Sequence, residues 1–279
     1  MPELPEVESI ARSLVSDQGD HESLLGHSIS RARVAWKRTV AQPSARTFQR
    51  RILNQQVKAV GRRGKFINIR LSKDSLLIHL RMSGDLLLGR SEKPLGDHSR
   101  LQLYFEDGLQ LSFNDPRKFG RVWLVADSES VLAQLGPEPF DPALTPAGFH
   151  DLLRARKRQL KPLLLDQTFL AGLGNIYADE ALWAARLHPL QPSNQVTRKQ
   201  AGSLLTGIQE VLTEGIRRNG ASIDWVYRGG DYQNHFKVYQ RTGEPCPRCG
   251  TPITRIVLGQ RSTHFCPKCQ ELHEDDSES

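Results

Sequence analysis

Apolar and polar residues alternate along much of the chain between about Ser30 and Ala126. A period of two is typical of a strand that buries one face. The clearest case surrounds Asp107-Gly108, a dipeptide that favours a tight hairpin turn, and strand-like apolar runs also occupy 66–71 and 76–88. Many short strands separated by Gly and Asp turns predict a β-sandwich or flattened barrel. The alternating apolar residues of the hairpin are Leu101, Leu103, Phe105, Leu109, Leu111 and Phe113.

The apolar spacing is helical near the N-terminus and again after Gly136-Pro137-Glu138-Pro139. Residues 221–240, rich in Gly and aromatic residues, predict a loop. The chain therefore reads as an α+β multidomain protein. The predicted helices cover 6–14, a segment that follows an N-cap at Thr145, a segment that begins near Asn175, and a segment from about Thr197 to a stop at Asn219-Gly220.

The charge balance favours a polyanionic partner. The formal net charge is +7 and the sequence pI about 9.4. Residues 271–279 hold five acids and no Lys or Arg, so residues 1–270 carry 38 − 26 = +12. At this length such a charge points to nucleic acid. No apolar run is long enough to span a membrane and no secretory signal is evident, so we expect a cytoplasmic, nucleoid-associated location.

Four cysteines near the C-terminus predict a metal site. They form two C-x-x-C pairs, separated by sixteen residues. Each pair can direct two thiolates to one face, and two pairs on facing hairpin strands complete a tetrahedron. Two disulfides or buried free thiols are the alternative, which a reducing cytosol opposes. The sequence therefore predicts one structural Zn²⁺, held by Cys246, Cys249, Cys266 and Cys269.

The first residues offer an unusual nucleophile. Removal of Met1 would leave Pro2 with a free secondary amine. An α-amino group titrates near pH 8 and lysine near 10.4, so about a hundred times more of the terminal amine is nucleophilic at neutral pH. Attack on a sugar C1′ would give a cationic iminium, with Glu3 in position to act as acid or base. From these residues alone, Pro2-Glu3 could equally be the start of a capped helix.

Six motifs occur in order along nearly the whole chain: PELPEVE, GRRGKF, HLRMSG, NDPRKFG, GLGNIYADE and a zinc finger with QRST before its last C-x-x-C. Together they resemble the formamidopyrimidine-DNA glycosylase family. The resemblance implies an N-terminal β-sandwich with an N-terminal helix, a helix-two-turn-helix domain and a zinc-finger hairpin. The corresponding ranges are 1–130, 137–235 and 240–271, followed by an acidic tail at 272–279.

The resemblance also assigns catalytic roles. Pro2 matches the family's Schiff-base nucleophile, and Glu3 matches the acid that assists base departure and sugar opening. Lys65, in GRRGKF, matches the lysine that holds phosphate and serves β-elimination, and Arg261, in QRST, matches the arginine of δ-elimination. From the residues alone, Lys65 is one more cation of a basic run and Arg261 a solvated turn residue.

Further positions match the family's DNA contacts. Met82, Arg117 and Phe119 match three side chains that enter the duplex after the target nucleotide turns outward. A flexible thioether, a guanidinium and an aromatic ring suit that task, although Met82 and Phe119 would ordinarily be core residues. The phosphate-contacting positions are His98, Arg156 and Asn175, with the basic run 154–161 around Arg156.

The sequence thus indicates a DNA-formamidopyrimidine glycosylase and DNA-(apurinic or apyrimidinic site) lyase of base excision repair. We expect it to act as a monomer on damaged double-stranded DNA and not to bind a membrane. Oxidised purines such as 8-oxoguanine are the expected bases, and β,δ-elimination through Pro2 the expected cleavage. The alternatives are an endonuclease VIII-like glycosylase for oxidised pyrimidines and a non-catalytic zinc protein that binds DNA.

One segment departs from the family pattern. Residues 221–236 stand where the family carries a loop over the everted base, but their sequence is unlike the versions associated with capture of oxidised purines. Asp224, Trp225 and Tyr227 could stack on a base or pack the loop. The substrate range is therefore open at this point.

Overall fold

The computed structural model describes residues 1–17, 22–90, 96–222 and 229–272. Backbone contacts divide the chain into two units. The first comprises Met1–Gln134 and Asn219–Gly230, and the second comprises Leu135–Arg218 and Asp231–Ser279. A short segment that follows the helices in sequence thus belongs to the unit that contains the N-terminus. The predicted domain boundaries stay predictions.

Two β-sheets form most of the first unit. Their strands are β1 Ile29–Val34, β2 Val40–Gln42, β3 Val57–Arg63, β4 Phe66–Leu71, β5 Ser75–His79, β6 Asp85–Arg90, β7 Ser99–Phe105, β8 Leu109–Asn114 and β9 Arg121–Val125. One sheet has the strand order β2-β9-β5-β4-β3 and the other has the order β1-β7-β8-β6. The predicted sandwich is confirmed.

The hairpin predicted from alternation consists of β7 and β8. These strands are antiparallel and pair Leu103 with Leu111 and Leu101 with Phe113. Gly108 adopts a φ of 87° in the turn, a left-handed conformation that suits glycine. The same face of both strands is therefore buried.

Helix α1, Leu4–Ser13, completes the core of the first unit. It packs against β3 and β4, and its apolar side chains Val7, Ile10 and Leu14 join the buried residues of both sheets. The short helix predicted over 6–14 is thus present and begins two residues earlier. Two smaller helices, α2 Ala45–Arg51 and α3 Glu129–Leu132, also belong to this unit.

The second unit begins with four helices. Thr145 caps the first with its hydroxyl, which accepts a hydrogen bond from Gly148 N–H at 3.1 Å. Thr197 and Gln200 form a capping box at the start of the longest. The predicted N-cap at Thr145 and the predicted helix start near Thr197 are confirmed. The helices are α4 Pro146–Arg154, α5 Leu160–Leu164, α6 Asn175–Ala185 and α7 Arg198–Arg217.

A two-stranded hairpin, β10 Thr254–Leu258 and β11 Arg261–Phe265, ends the second unit. Gly259 and Gln260 take positive φ values of 52° and 62° in the turn between the strands. Strand β11 packs against α6. The hairpin is therefore anchored on a helix of its own unit.

Two predictions fall largely outside the described residues. Asp224, Trp225 and Tyr227, the candidate base-capping side chains, lie there, and so does the acidic tail from residue 273 onward. Within the described part of 221–240, a 3₁₀ turn occupies Tyr232–His235. Among the described helices, none combines the length and the apolar character that crossing a membrane requires.

Candidate active site, nucleic-acid interface and metal centre

The N-terminus of α1 holds the proposed nucleophile and acid. Pro2 is buried and Glu3, the N-cap residue, is only 3% exposed, whereas Met1 is 50% exposed. With Met1 attached, the Pro2 nitrogen is part of a peptide bond. Removal of the exposed methionine would uncover it. The buried setting also fixes the Glu3 backbone at the start of the helix.

Glu6, which the sequence did not single out, fixes this region further. Its Oε2 accepts a hydrogen bond from Glu3 N–H at 2.7 Å, and its Oε1 accepts one from Ala221 N–H at 2.7 Å. Gly220 has a φ of 80°, and a Cβ there would lie 2.6 Å from Glu6 Oε1. A glycine is therefore required where the chain returns to α1.

Two hydrogen bonds join Ser222 to Gly230, further along the same part of the chain. Ser222 Oγ donates to Gly230 O at 2.9 Å and accepts from Gly230 N–H at 2.9 Å. A Cβ at Gly230 would lie 2.2 Å from Gly220 O. Ser222 and Gly230 are thus held side by side.

Lys65 lies between β3 and β4 and is 5% exposed. The hairpin that carries it is tied to α1, because Arg62 Nε donates to Glu8 Oε2 at 2.9 Å. Burial acts to raise the pKa of Glu8, but hydrogen bonds and charges from Arg62 and Arg12 outweigh it, and the pKa lies below its usual value. The ion pair therefore holds the helix start and the Lys65 hairpin in one unit.

His79 is a buried neutral base at the end of β5. Burial, followed by the charges of Arg81 and Lys65, lowers its pKa from 6.5 to about 3. Its Nδ1 accepts a hydrogen bond from Arg81 N–H at 3.0 Å. Arg81 has a φ of 56°, a left-handed conformation that is rare for a side chain of this size. His79 therefore stabilises the turn that presents Met82.

The three candidate duplex-entering residues are exposed. Met82 is 38% exposed and Phe119 is 47% exposed, so neither is a core residue. The Arg117 guanidinium lies 5.1 Å from the centroid of the Phe119 ring. Phe119 is thus an exposed aromatic side chain in contact with a cation. His98 is exposed as well, and its N–H donates to Asn114 Oδ1 at 2.8 Å.

In the second unit, Asn175 and Arg261 come close together. Asn175 is the first residue of α6, and its Nδ2 donates to Ser262 O at 3.0 Å. Arg261, the neighbour of Ser262, is exposed at the start of β11. One hydrogen bond therefore joins the N-terminus of α6 to the strand that carries Arg261.

The basic run after α4 divides into exposed and buried parts. Arg156 is exposed, as a phosphate contact requires. Lys161 is fully buried and ion-paired with Asp179, which also accepts a hydrogen bond from His264 N–H at 3.0 Å. The expectation that the whole run contacts phosphate is wrong for Lys161. Its ammonium also donates to Asn175 O at 3.0 Å, so it supports the start of α6 from inside.

Glu180, next to Asp179, has a similar internal role. Its carboxylate accepts three backbone hydrogen bonds at 2.9 Å, from Lys237, Val238 and Tyr239. Burial raises the pKa of Glu180, and the three N–H donors act against that rise. The segment that leads to the hairpin is thus fixed on α6.

The four cysteines form the predicted cluster. Their sulfur atoms all lie within 4.8 Å of one another, with 3.4 Å between Cys249 and Cys266 and 4.0 Å between Cys246 and Cys269. A tetrahedral zinc with bonds of about 2.3 Å places its sulfurs at such separations. Trp183 Nε1 donates to Cys246 Sγ at 3.4 Å. Four thiolates would saturate the metal and leave no open position.

Three family models match the chain. The formamidopyrimidine-DNA glycosylase N-terminal domain matches residues 1–122, the H2TH domain of that glycosylase matches 135–226, and a zinc finger found in FPG and IleRS matches 243–272. The chain belongs to the formamidopyrimidine-DNA glycosylase family. The zinc-finger match covers all four cysteines, so their cluster is one structural zinc site.

Named relatives and solved structures agree. The formamidopyrimidine-DNA glycosylase of Protochlamydia amoebophila is 43% identical, over 97% of this chain and 100% of its own. That of Chloroflexus aurantiacus is 45% identical, over 97% and 98%. The Lactococcus lactis Fpg (MutM) complex with N7-benzyl-Fapy-dG DNA has a TM-score of 0.88 at 35% identity, over 97% of this chain and 100% of that one. MutM with carbocyclic 8-oxo-G DNA has a TM-score of 0.87 at 36% identity, over the same shares.

Proposed function

We propose that the protein is a bifunctional DNA glycosylase and AP lyase that removes oxidised purines and then cleaves the abasic strand by β,δ-elimination. Family relatives carry the name of a formamidopyrimidine-DNA glycosylase, and solved relatives hold Fapy-dG, 8-oxo-G or abasic-site DNA. The observation that carries the proposal is the start of α1, where Pro2 lies beneath an exposed Met1 and directly before Glu3.

The chemistry follows from a secondary amine at that place. After Met1 is removed, the Pro2 nitrogen attacks C1′, the glycosidic bond breaks, and the base leaves with its bonding electrons and a proton. Glu3 assists base departure and ring opening as acid. The iminium then withdraws electrons, so that loss of a C2′ proton breaks the C3′–O bond and a second elimination breaks the C5′–O bond. Lys65 serves the first elimination and Arg261 the second.

The remaining candidate groups suit a DNA surface. Met82, Arg117 and Phe119 would occupy the space that an everted nucleotide leaves. His98, Arg156 and Asn175 would contact phosphates, the last through the start of α6. The zinc holds the hairpin that carries Arg261, and the protein would act on DNA as a monomer in the nucleoid.

Borohydride trapping tests the covalent step. Wild-type protein incubated with abasic duplex and borohydride should give a stable complex, with the adduct on Pro2 and no Met1 in the mass spectrum. A chain that retains a residue before Pro2 should bind the duplex and give no complex. Binding without trapping by the processed wild type would favour the non-catalytic zinc protein.

A lesion comparison tests the substrate class. We expect faster excision of 8-oxoguanine opposite cytosine than of thymine glycol opposite adenine, because the exposed Met82, Arg117 and Phe119 set resembles the purine-specific type. A preference for thymine glycol would indicate the endonuclease VIII-like alternative.

A further inference from the structure

Two loops of the sandwich carry the exposed residues Met82, Arg117 and Phe119. The first, residues 81–84, joins β5 to β6, and the second, residues 115–120, joins β8 to β9. His79 at the end of β5 pairs with Arg121 at the start of β9, and Asp85 at the start of β6 pairs with Asn114 at the end of β8, so both loops cross between the two sheets at the same end of these strands. Their proximity is therefore a property of the topology.

A single carboxylate connects the loops. Asp115 is 1% exposed, and its Oδ1 accepts a hydrogen bond from Ser83 Oγ at 2.5 Å, in the other loop. Within its own loop it accepts from Arg117 N–H at 3.2 Å and from Gly120 N–H at 2.7 Å. Ser83 Oγ also accepts from Arg117 N–H at 3.3 Å. Asp115 thus binds the residue after Met82 and two residues that flank Phe119.

The backbone of Asp115 anchors this arrangement in the sheet. Its N–H donates to His98 O at 3.0 Å, and its carbonyl accepts from Arg100 Nε at 2.7 Å. His98 is the candidate phosphate contact of the first unit. Through its backbone and its carboxylate, Asp115 is therefore bonded to His98, to Arg117 and to the residues that follow Met82 and Phe119 in the chain.

The two loops also converge on one aromatic ring. A Cβ at Gly84 would lie 2.7 Å from Phe113 Cε2, and one at Gly120 would lie 2.2 Å from Phe113 Cζ. Phe113 is buried, so neither loop can shift toward the core. In addition, Arg121 Nη1 donates to the carbonyls of Lys118, Phe119 and Gly120. Only the Ser83–Asp115 hydrogen bond joins the side chains of one loop directly to those of the other among the described residues of the two loops.

We propose that Asp115 and Ser83 are positioning residues that make the two loops act as one rigid element during base eversion. This inference rests on the proposed function. Met82 and the Arg117–Phe119 pair must enter the duplex together, since either alone would leave part of the vacated space unfilled. A buried charge-assisted hydrogen bond between the loops enforces that common motion.

The test separates eversion from covalent chemistry. Ser83→Ala removes both hydrogen bonds of the Ser83 hydroxyl to the other loop, the one to Asp115 and the one from Arg117 N–H, and leaves the Asp115 bonds to Arg117 and Gly120 N–H in place. In duplex with 8-oxoguanine beside 2-aminopurine, we expect the fluorescence rise that reports eversion to slow about tenfold, the scale of one hydrogen bond to a charged group. Borohydride trapping on a preformed abasic site should stay within about twofold of wild type, since no base has to be displaced.

Ser30→Ala is the matched control. Its exposed hydroxyl donates to Tyr104 O at 3.1 Å in the same sheet and contacts neither loop. We expect wild-type eversion and trapping from this variant. Asp115→Ala provides a second route, because it removes the acceptor of the Ser83 hydroxyl. The double variant with Ser83→Ala should lose less than the product of the two single effects, since both changes break that one bond.

Three results would overturn the inference. One is a rate of base eversion by Ser83→Ala that equals the wild-type rate. Another is an equal loss of eversion and trapping, which would indicate a general folding role. The third is a double variant whose rate is the product of the two single effects. Failure of wild-type protein to trap abasic DNA would instead contradict the proposed function, and would be visible before any variant is compared.

Discussion

At the residue scale, the burial of His79 makes the Met82 turn sensitive to acid. The neutral ring accepts the Arg81 N–H, and a protonated Nδ1 could not. Because the folded-state pKa is about 3 and the ordinary value is 6.5, the unfolded chain binds a proton in this range and the folded protein does not. The associated stability is present above pH 6.5 and is lost as pH falls toward 3.

We therefore expect His79→Gln to flatten the acid dependence of unfolding. Between pH 6 and 4, the wild type should lose about 1 kcal/mol more stability per pH unit than the variant. Urea denaturation at several pH values measures this difference. Parallel curves for the two proteins would show that His79 is protonated in the fold.

At the element scale, the ion pair of Lys161 and Asp179 connects α5 to α6. Both side chains are fully buried. We expect Lys161→Met to lower the free energy of unfolding by about 3–5 kcal/mol, since it leaves a buried carboxylate without its cation. Chemical denaturation checks the value.

Arg158→Met is the control for that measurement. Arg158 pairs with Asp166 on the surface, at 2.7 Å and 45% exposure. Its loss should cost at most about 1 kcal/mol. Equal effects of the two variants would contradict the role given to the buried pair.

The zinc hairpin should depend on its metal. Chelation should unfold β10 and β11, because so short a hairpin gains its folding energy from the four thiolates. DNA affinity should fall at least about tenfold, since Arg261 and the Ser262 carbonyl that binds Asn175 lie on β11. Loss of zinc should also change the Trp183 fluorescence, and Trp183→Phe should remove most of that change. An unaltered DNA affinity of the zinc-free protein would contradict the dependence of the hairpin on its metal.

Local signals made these elements predictable, and long-range pairing did not. Thr145 and Thr197 indicate the starts of helices because a capping side chain bonds a backbone N–H only three positions away. The four cysteines predict zinc because their spacing determines the geometry of the metal site. By contrast, Ser83 and Asp115 are 32 positions apart, and only the order of the strands brings them together. Lys161 likewise resembles a surface cation in the sequence, because its partner Asp179 lies eighteen positions away in α6.

At the scale of the whole molecule, the excess of positive charge should govern affinity. Residues 1–270 carry +12, so binding to duplex should weaken steeply with salt. Each phosphate contact contributes about 0.9 to the slope of log K against log salt. We expect Arg156→Gln to reduce the slope by about that amount, measured by fluorescence anisotropy at several salt concentrations.

Arg217→Gln is the matched control, because Arg217 is exposed but paired with Glu214. Its slope should equal that of the wild type. An unchanged slope for Arg156→Gln would show that this guanidinium does not bind phosphate.

The pair of hydrogen bonds between Ser222 and Gly230 has a practical consequence. Two hydrogen bonds hold Ser222 beside Gly230, Gly230 closely approaches Gly220, and Glu6 binds the neighbouring Ala221 to α1. Because none of these contacts involves residues 223–228, we expect a chimaera that takes those six residues from another family member to keep them. Such chimaeras would show whether preference among damaged bases travels with the transplanted segment.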